Sequence, residues 1–344
     1  MAQKTILVTG GAGFIGGNFV NYIWHKYPDD RILVLDLLTY AGNPENFPVS
    51  TQTDDRFQFW FGDVCNAELV DTLVGQSDIV VHFAAESHVT RSIYDNQVFF
   101  RTDVMGTQAI ANAVLKYRDR IERFVHISTS EVYGTAETMK MSEEHPLKPL
   151  SPYAAAKCGA DRLVWSYVST YGIPAVIVRP FNNYGPRQHL EKVVSRFITS
   201  VLLDEPLTVH GDGGAARDFI YVEDNCRAID QLMREDIEKV RGQVFNVGSE
   251  EHRSVLSIAK DVVRLMNGDP NKIHLIGDRP GQVFRHTADT NLIRSALAWR
   301  PEMSWENGMI KTIEWYTENR AWWQKQVWMR HVPIVSLSGK RELH

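Results

Sequence analysis

Basic excess is missing from this chain: 37 Lys and Arg stand against 42 Asp and Glu in 344 residues, a formal net charge of −5. Nucleic-acid binders draw much of their affinity from neutralising phosphates, so a nucleic-acid partner is not expected. Cysteine is scarce. Cys65, Cys158 and Cys226 are odd in number, widely separated and without metal-ligand spacing, which excludes a disulfide scaffold and a thiolate metal site and reads as reduced thiols. No apolar run reaches the roughly 18 residues that a membrane span requires. Met1-Ala2-Gln3-Lys4 lead straight into a β-branched segment with no signal-peptide core. Repeats, low-complexity tracts and disordered linkers are lacking too. The expectation is a soluble cytoplasmic protein with no membrane partner and no metal.

What is present is ordinary globular material, 44% hydrophobic and 23% charged, in a length that suits one large domain with a second lobe. Thr5 to Thr9, a continuous apolar run, suits a strand buried on both faces. Further strands are expected at Arg31–Asp36, Phe57–Gly62, Ile79–Phe83, Arg123–Ser128 and Ala175–Arg179, with helices at Phe19–Tyr27, Asp103–Tyr117 and Pro152–Tyr171. This alternation predicts a doubly wound parallel α/β sheet of the Rossmann type. Beyond Arg179 the pattern mixes short strands (Leu207–His210, Phe219–Val222, Gln243–Val247) with helices (Ser254–Met266, Asn291–Leu297, Trp305–Asn319), as in a smaller mixed α/β lobe. The expected division is a dinucleotide-binding domain over 1–179 plus roughly 218–247, a substrate lobe over roughly 180–217 and 248–321, and a tail over 322–344. The tail's tryptophans could cover the second lobe or a partner subunit.

Gly10, Gly13 and Gly16 form G-x-x-G-x-x-G between the first strand and a helix. Such a turn lets backbone approach a pyrophosphate and leaves the phosphates at a helix N-terminus. Asp36 ends the second strand, 20 positions past Gly16, where a carboxylate accepts hydrogen bonds from ribose hydroxyls and repels the extra phosphate of NADP. The cofactor expected is NAD. Asp63, after the third strand, reads as an adenine contact or a loop cap.

Tyr153 and Lys157 sit i, i+4 on a helix and share one face. A free phenol is a poor base at neutral pH, but a neighbouring ammonium and a nicotinium charge favour the phenolate. Thr129, at the end of the fifth strand, offers a hydroxyl to align a substrate oxygen.

With these residues in place, the chain resembles the extended short-chain dehydrogenases, and among them the nucleotide-sugar 4,6-dehydratases, especially the dTDP-glucose type. The resemblance runs to about Pro301. It is carried by T-G-G-A-G-F-I-G (Thr9 to Gly16), L-T-Y-A-G-N (Leu38 to Asn43), H-F-A-A-E-S-H-V (His82 to Val89) and S-T-S-E-V-Y-G (Ser128 to Gly134). It continues in S-P-Y-A-A-A-K (Ser151 to Lys157), N-N-Y-G-P (Asn182 to Pro186), R-D-F-I-Y-V-E-D (Arg217 to Asp224) and R-P-G (Arg279 to Gly281).

The resemblance implies a full cycle. Tyr153 takes the proton of the sugar 4-hydroxyl while NAD takes the C4 hydride; Glu131 removes the acidified C5 proton; water leaves from C6; and the hydride returns to C6. It also implies that Phe14, Ile15, Val64 and Ala84 flank the cofactor. Ser87, Asn183, Arg187, Arg217 and Arg279 would contact a nucleoside-diphosphate sugar, with His189, Glu86 and His88 as further pocket residues and a four-helix-bundle homodimer. Two positions depart from the dTDP-glucose pattern: Ser130 stands where those enzymes have Asp, and Thr90 replaces the Asp that ends A-A-E-S-H-V-D. Thr-Ser-Glu also occurs in GDP-mannose 4,6-dehydratases and UDP-glucuronate decarboxylases, so Ser130 is carried as part of the catalytic set with its role open. Decarboxylation, 4-epimerisation and a non-catalytic NAD-sensing scaffold remain the competing readings; L-T-Y-A-G-N, Glu131 and the intact Thr129–Tyr153–Lys157 set favour dehydration.

Overall fold

Runs such as Ile6-Leu7-Val8 and Ile32-Leu33-Val34-Leu35 have no polar side, and such strands are stable only where both faces are covered. The computed structural model describes residues 3–277, 284–335 and 341–343. It contains β1 (Thr5–Thr9), β2 (Arg31–Asp36), β3 (Phe57–Phe61), β4 (Ile79–His82), β5 (Arg123–Ile127) and β6 (Ala175–Pro180). There follow β7 (Asn182–Tyr184), β8 (Leu207–His210), β9 (Ala216–Tyr221), β10 (Val244–Val247), β11 (His252–Ser254) and β12 (Ile273–Ile276). Seven of them form one parallel sheet in the order β10-β6-β5-β4-β1-β2-β3. This is the expected doubly wound Rossmann-type architecture.

Alternation along each strand sends side chains to opposite layers. Ile6, Val8 and Val34 pack with Phe19, Val20 and Ile23 of the helix Phe14–Lys26 and with Ile229 and Leu232 of the helix Val222–Arg234. Leu7, Leu33 and Leu35 face the other way, onto Val70, Ile110 and Val164. The helices carrying those residues are Ala67–Val74, Thr107–Lys116 and Pro152–Tyr171. Strand order reverses between β1 and β4, and the crevice at their carboxyl ends is where open sheets of this kind bind ligands.

A smaller unit lies beyond β6. A three-stranded sheet β11-β9-β7 and the parallel pair β12-β8 enclose a core of Tyr184, Phe197, Ile258, Met309 and Tyr316. The tail closes this core. Trp323 is fully buried and donates from Nε1 to the Tyr316 carbonyl at 2.7 Å, while Trp322 Nε1 donates to Asn46 Oδ1 at 3.1 Å. Trp328 is exposed. These two tryptophans therefore cover the second unit within the same chain.

Several element ends shift by a few residues, and three of these shifts have a local physical reason. The first helix begins at Phe14, because Gly16 and Gly17 belong to its opening turns and glycine hides a helix start. Residues Phe100–Gly106 form a π-helical stretch ahead of Thr107–Lys116, an insertion with no signature in the apolar spacing. Val222 opens a helix rather than ending a strand, since Glu223 and Asp224 fall in a first turn that favours negative charge. No helix among the described residues is long and apolar enough to cross a membrane.

Candidate active site

The glycines after β1 can be sorted by what an added Cβ would meet. Gly10 has φ +68, and a Cβ there would stand 2.5 Å from the Ala84 nitrogen. A Cβ on Gly16 would stand 2.2 Å from the Gly10 carbonyl oxygen. Both are therefore required by the chain's own packing. At Gly13 the nearest atom is 3.3 Å away, so that position leaves space for a group outside the chain. Gly13 also caps the helix Phe14–Lys26 without a side-chain hydrogen bond, leaving first-turn N–H groups for an anion.

Asp36 stands at the end of β2, and its carboxylate holds the turn: Oδ2 accepts the Ala12 N–H at 2.9 Å and Oδ1 the Leu38 N–H at 2.8 Å. Burial pushes its carboxyl up, and the two amides oppose that shift. A carboxylate accepts about four hydrogen bonds, so capacity remains for ribose hydroxyls on the cavity side. Phe14, Ile15, Asp63, Val64 and Ala84 line the same cavity. Asp63 also accepts from Cys65 N at 2.8 Å and from Arg101 at 3.0 Å, the contacts of a loop-capping carboxylate.

Beyond β5 the backbone turns through a 3-10 helix, Ser130–Tyr133, whose N-cap Thr129 accepts the Glu131 N–H at 3.2 Å. Opposite it, Ser151 caps the helix Pro152–Tyr171 and Pro152 occupies its first position, which sets Tyr153 and Lys157 facing the strand ends. Lys157 Nζ donates to the Ile127 carbonyl at 2.7 Å. Tyr153 is buried and borders the same cavity as Thr129. Burial pushes its phenol well up, the charges of Asp103 and Glu131 add to that, and Thr129 opposes it. Burial pulls the Lys157 ammonium down against the attraction of Asp103 and Asp161. In the protein alone the surroundings of Tyr153 thus favour the protonated phenol.

Thr129, Glu131, Tyr153, Lys157, Ser87, Asn183 and Arg217 all border one cavity of about 490 Å³, together with Gly10, Gly13 and Asp36. Asn183 Nδ2 donates to the Phe181 carbonyl at 3.0 Å, and its buried Oδ1 has no partner among the described residues. Arg217 Nη1 donates to the Ala216 carbonyl at 3.0 Å. His189, Glu86 and His88 are on the same wall.

Two residues of the expected set lie elsewhere. Ser130 is buried and does not border the cavity, because the tight turn that presents Glu131 sends its neighbour inward. Arg187, at φ +67, directs its guanidinium to Asn18 Oδ1 at 3.4 Å and over the Trp315 ring, bracing the two units outside the cavity. Arg279, with the rest of R-P-G, lies outside the described residues.

The structure also brings in residues the sequence did not single out. Glu191, its side chain fully buried on the cavity wall, accepts from Tyr40 Oη at 2.9 Å and faces His88 at 3.5 Å and Arg91 at 3.6 Å. Burial works against its ionisation, but Lys192, His88 and His189 outweigh that and hold the carboxyl below its usual range. Asp103 is buried in the π-helical stretch, with Oδ1 accepting Glu86 N–H at 2.8 Å. His286 lies behind Glu131. A cluster of charges in H-L-E-K (His189 to Lys192) was the one available hint of Glu191.

Residues 7–312 match the family described as GDP-mannose 4,6 dehydratase. The low-salt glycan biosynthesis protein Agl12 of Haloferax volcanii is 44% identical over 312 residues, covering 90% of this chain and 98% of that one. A dTDP-glucose 4,6-dehydratase of Mycobacterium tuberculosis is 41% identical over 323 residues, covering 93% and 95%. The crystal structure of DesIV, a dTDP-glucose 4,6-dehydratase of Streptomyces venezuelae with NAD bound, superposes with a TM-score of 0.88 at 38% identity, covering 93% of this chain and 99% of that one.

Proposed function

The chain belongs to the GDP-mannose 4,6-dehydratase family, and from that premise we propose a residue-level mechanism for an NAD-dependent nucleotide-sugar 4,6-dehydratase. The glycine turn, the uncapped helix end and Asp36 fit the pyrophosphate and ribose of the dinucleotide. When bound, NAD supplies a hydride acceptor for C4, a positive charge, and later the hydride for C6. Thr129 orients the sugar 4-hydroxyl and Tyr153 takes its proton. Lys157, fixed on the Ile127 carbonyl, supports that proton transfer through its charge. Glu131 takes the proton from C5. Asn183 and Arg217 hold the nucleotide sugar.

The observation that carries this reading is the placement of Glu131 on the same cavity wall as Thr129 and Tyr153. Simple oxidation or epimerisation at C4 needs no base there. The reaction should be tested on dTDP-, UDP-, GDP- and CDP-hexoses, following loss of water by mass. The dTDP-glucose named for relatives at 38–41% identity is the expected best substrate. Carbon dioxide released from a UDP-hexuronate, or 4-epimer formed without water loss, would overturn the reading.

Removing the Asp36 carboxylate should discriminate between the cofactors. Asp36→Ala is expected to raise the NAD Kd about 10–100-fold, the worth of one or two hydrogen bonds to a charged group. The NADP Kd should change less, because the lost charge also repelled the extra phosphate. Equal losses in titrations of both cofactors would refute this.

A homodimer is supported by apolar side chains that the described residues leave partly exposed. Val98, Phe100, Met105 and Trp165 are about half exposed, and they lie on the run from Gln97 to Lys116 and on the helix Pro152–Tyr171. Pairing of these two elements with their copies would form a two-fold bundle. Light scattering should give the mass of two chains, and Met105→Glu with Trp165→Glu should give one; a monomeric parent protein would rule it out. The free thiols of Cys65, Cys158 and Cys226 support a cytoplasmic location. A separate core around Tyr184, Phe197 and Tyr316 supports a sugar-nucleotide lobe over roughly 180–217 and 248–321 beside a cofactor domain over 1–179 with roughly 218–247, into whose core Ile293 and Trp299 pack, and a tail that seals the lobe.

A further inference from the structure

His286 is almost fully buried behind the cavity wall, and one ring nitrogen has a backbone partner that fixes its tautomer. Nε2 is in hydrogen-bond contact with the Gly134 carbonyl. A carbonyl oxygen only accepts, so Nε2 carries the proton. Burial first, and then the nearby positive charge of Arg217, keep the imidazole below the usual histidine range, while Glu131 and the Gly134 carbonyl pull the other way. The ring is therefore neutral at neutral pH and Nδ1 bears a lone pair. Among the described residues this buried Nδ1 has no hydrogen-bond partner, and Glu131 Oε1 is the acidic group facing it, at 3.8 Å.

A lone pair opposite a carboxylate oxygen leaves Nδ1 unsatisfied, and a buried acceptor left unmade is costly. Once Glu131 holds a proton, a small rotation lets its O–H donate to Nδ1, and both are satisfied. The arrangement is thus complementary to the state that follows proton abstraction, which is where stabilisation accelerates a step. Ser130, the neighbour of Glu131, does not border the cavity and offers no alternative acid.

We propose that His286 is a positioning residue for dehydration, accepting a proton through Nδ1 from Glu131 after C5 is deprotonated and returning it for departure of the C6 hydroxyl. This rests on Glu131 being the C5 base. The C5–H bond breaks, its electron pair enters the enolate, and the proton passes to Glu131, where Nδ1 shares it. The enolate pair then forms the C5–C6 double bond as the C6–O bond breaks, and the proton goes back through Glu131 to the leaving oxygen, giving water. Nothing is oxidised or reduced in this step.

The test uses two variants that part the structural contact from the proton site. In His286→Gln the side-chain amide can take over the Gly134 contact while Nδ1 is lost; in His286→Asn an amide replaces Nδ1 but cannot take up a proton. Both should retain NAD and oxidise C4 in a single turnover as the parent does. Water loss and C5 deuterium exchange should slow about 10²-fold, the low end for a positioned acid–base group. The acid limb of the exchange rate against pH should move to lower pH, since the pair can no longer be filled at the imidazole. Exchange and elimination within about twofold of the parent with an unmoved limb would overturn the proposal. Should neither variant fold, the parent's rate in mixed H₂O and D₂O decides: curvature from two protons in transit supports it, a straight line refutes it. Near-parental dehydration by Glu131→Gln would instead sink the underlying assignment of the base, a separate result.

Discussion

Glu131→Gln should oxidise C4 normally and then stall. The side chain reaches the cavity wall and its backbone N–H, not its carboxylate, makes the bond to Thr129, so the amide leaves the turn intact. With no base at C5, water loss should fall ~10²–10⁴-fold, the usual cost of removing a positioned acid–base group. The signature is a burst of reduced cofactor that persists, with no deuterium entering C5 from solvent. Ser130→Ala should cost far less, because its hydroxyl is turned away from the cavity. A Glu131→Gln enzyme that still dehydrates near the parental rate, or a Ser130→Ala enzyme that loses as much, would contradict the assignment.

Tyr153→Phe should fail one step earlier. Every later event depends on the 4-ketone that acidifies C5, so loss of the phenol should suppress C4 oxidation itself by ~10²–10⁴-fold and leave no reduced cofactor to see. The parental rate of C4 oxidation should climb as pH rises, because burial, Asp103 and Glu131 all hold the phenol protonated and it must give up that proton to act. In Tyr153→Phe that climb should be absent. Stopped-flow absorbance of the reduced nicotinamide across pH separates the two variants: a lasting burst in one, none in the other. A residual burst in Tyr153→Phe with the same rise against pH would assign the proton transfer to another group.

The sequence by itself determined whatever depends on neighbours along the chain. Aliphatic runs without a polar face specified strands of a buried parallel sheet. Three glycines, a helix start and Asp36 specified a dinucleotide turn, and the four-residue spacing of Tyr153 and Lys157 put both on one helical face. In the structure these residues converge at the carboxyl ends of β1, β4 and β5, because a doubly wound sheet brings its loops to that edge. Only the tertiary structure decided which side chains of the later segments reach the cavity. Arg187 and Ser130 belong to fitting motifs, yet one braces the two units and the other is tucked under a tight turn. Tyr40 meets Glu191 from 151 positions away, and His286 meets Glu131 across two loops joined to different sheets. Such pairs leave no periodicity, since their partners are chosen by how the second unit packs against the first, and each lone His or Glu reads in sequence like any other.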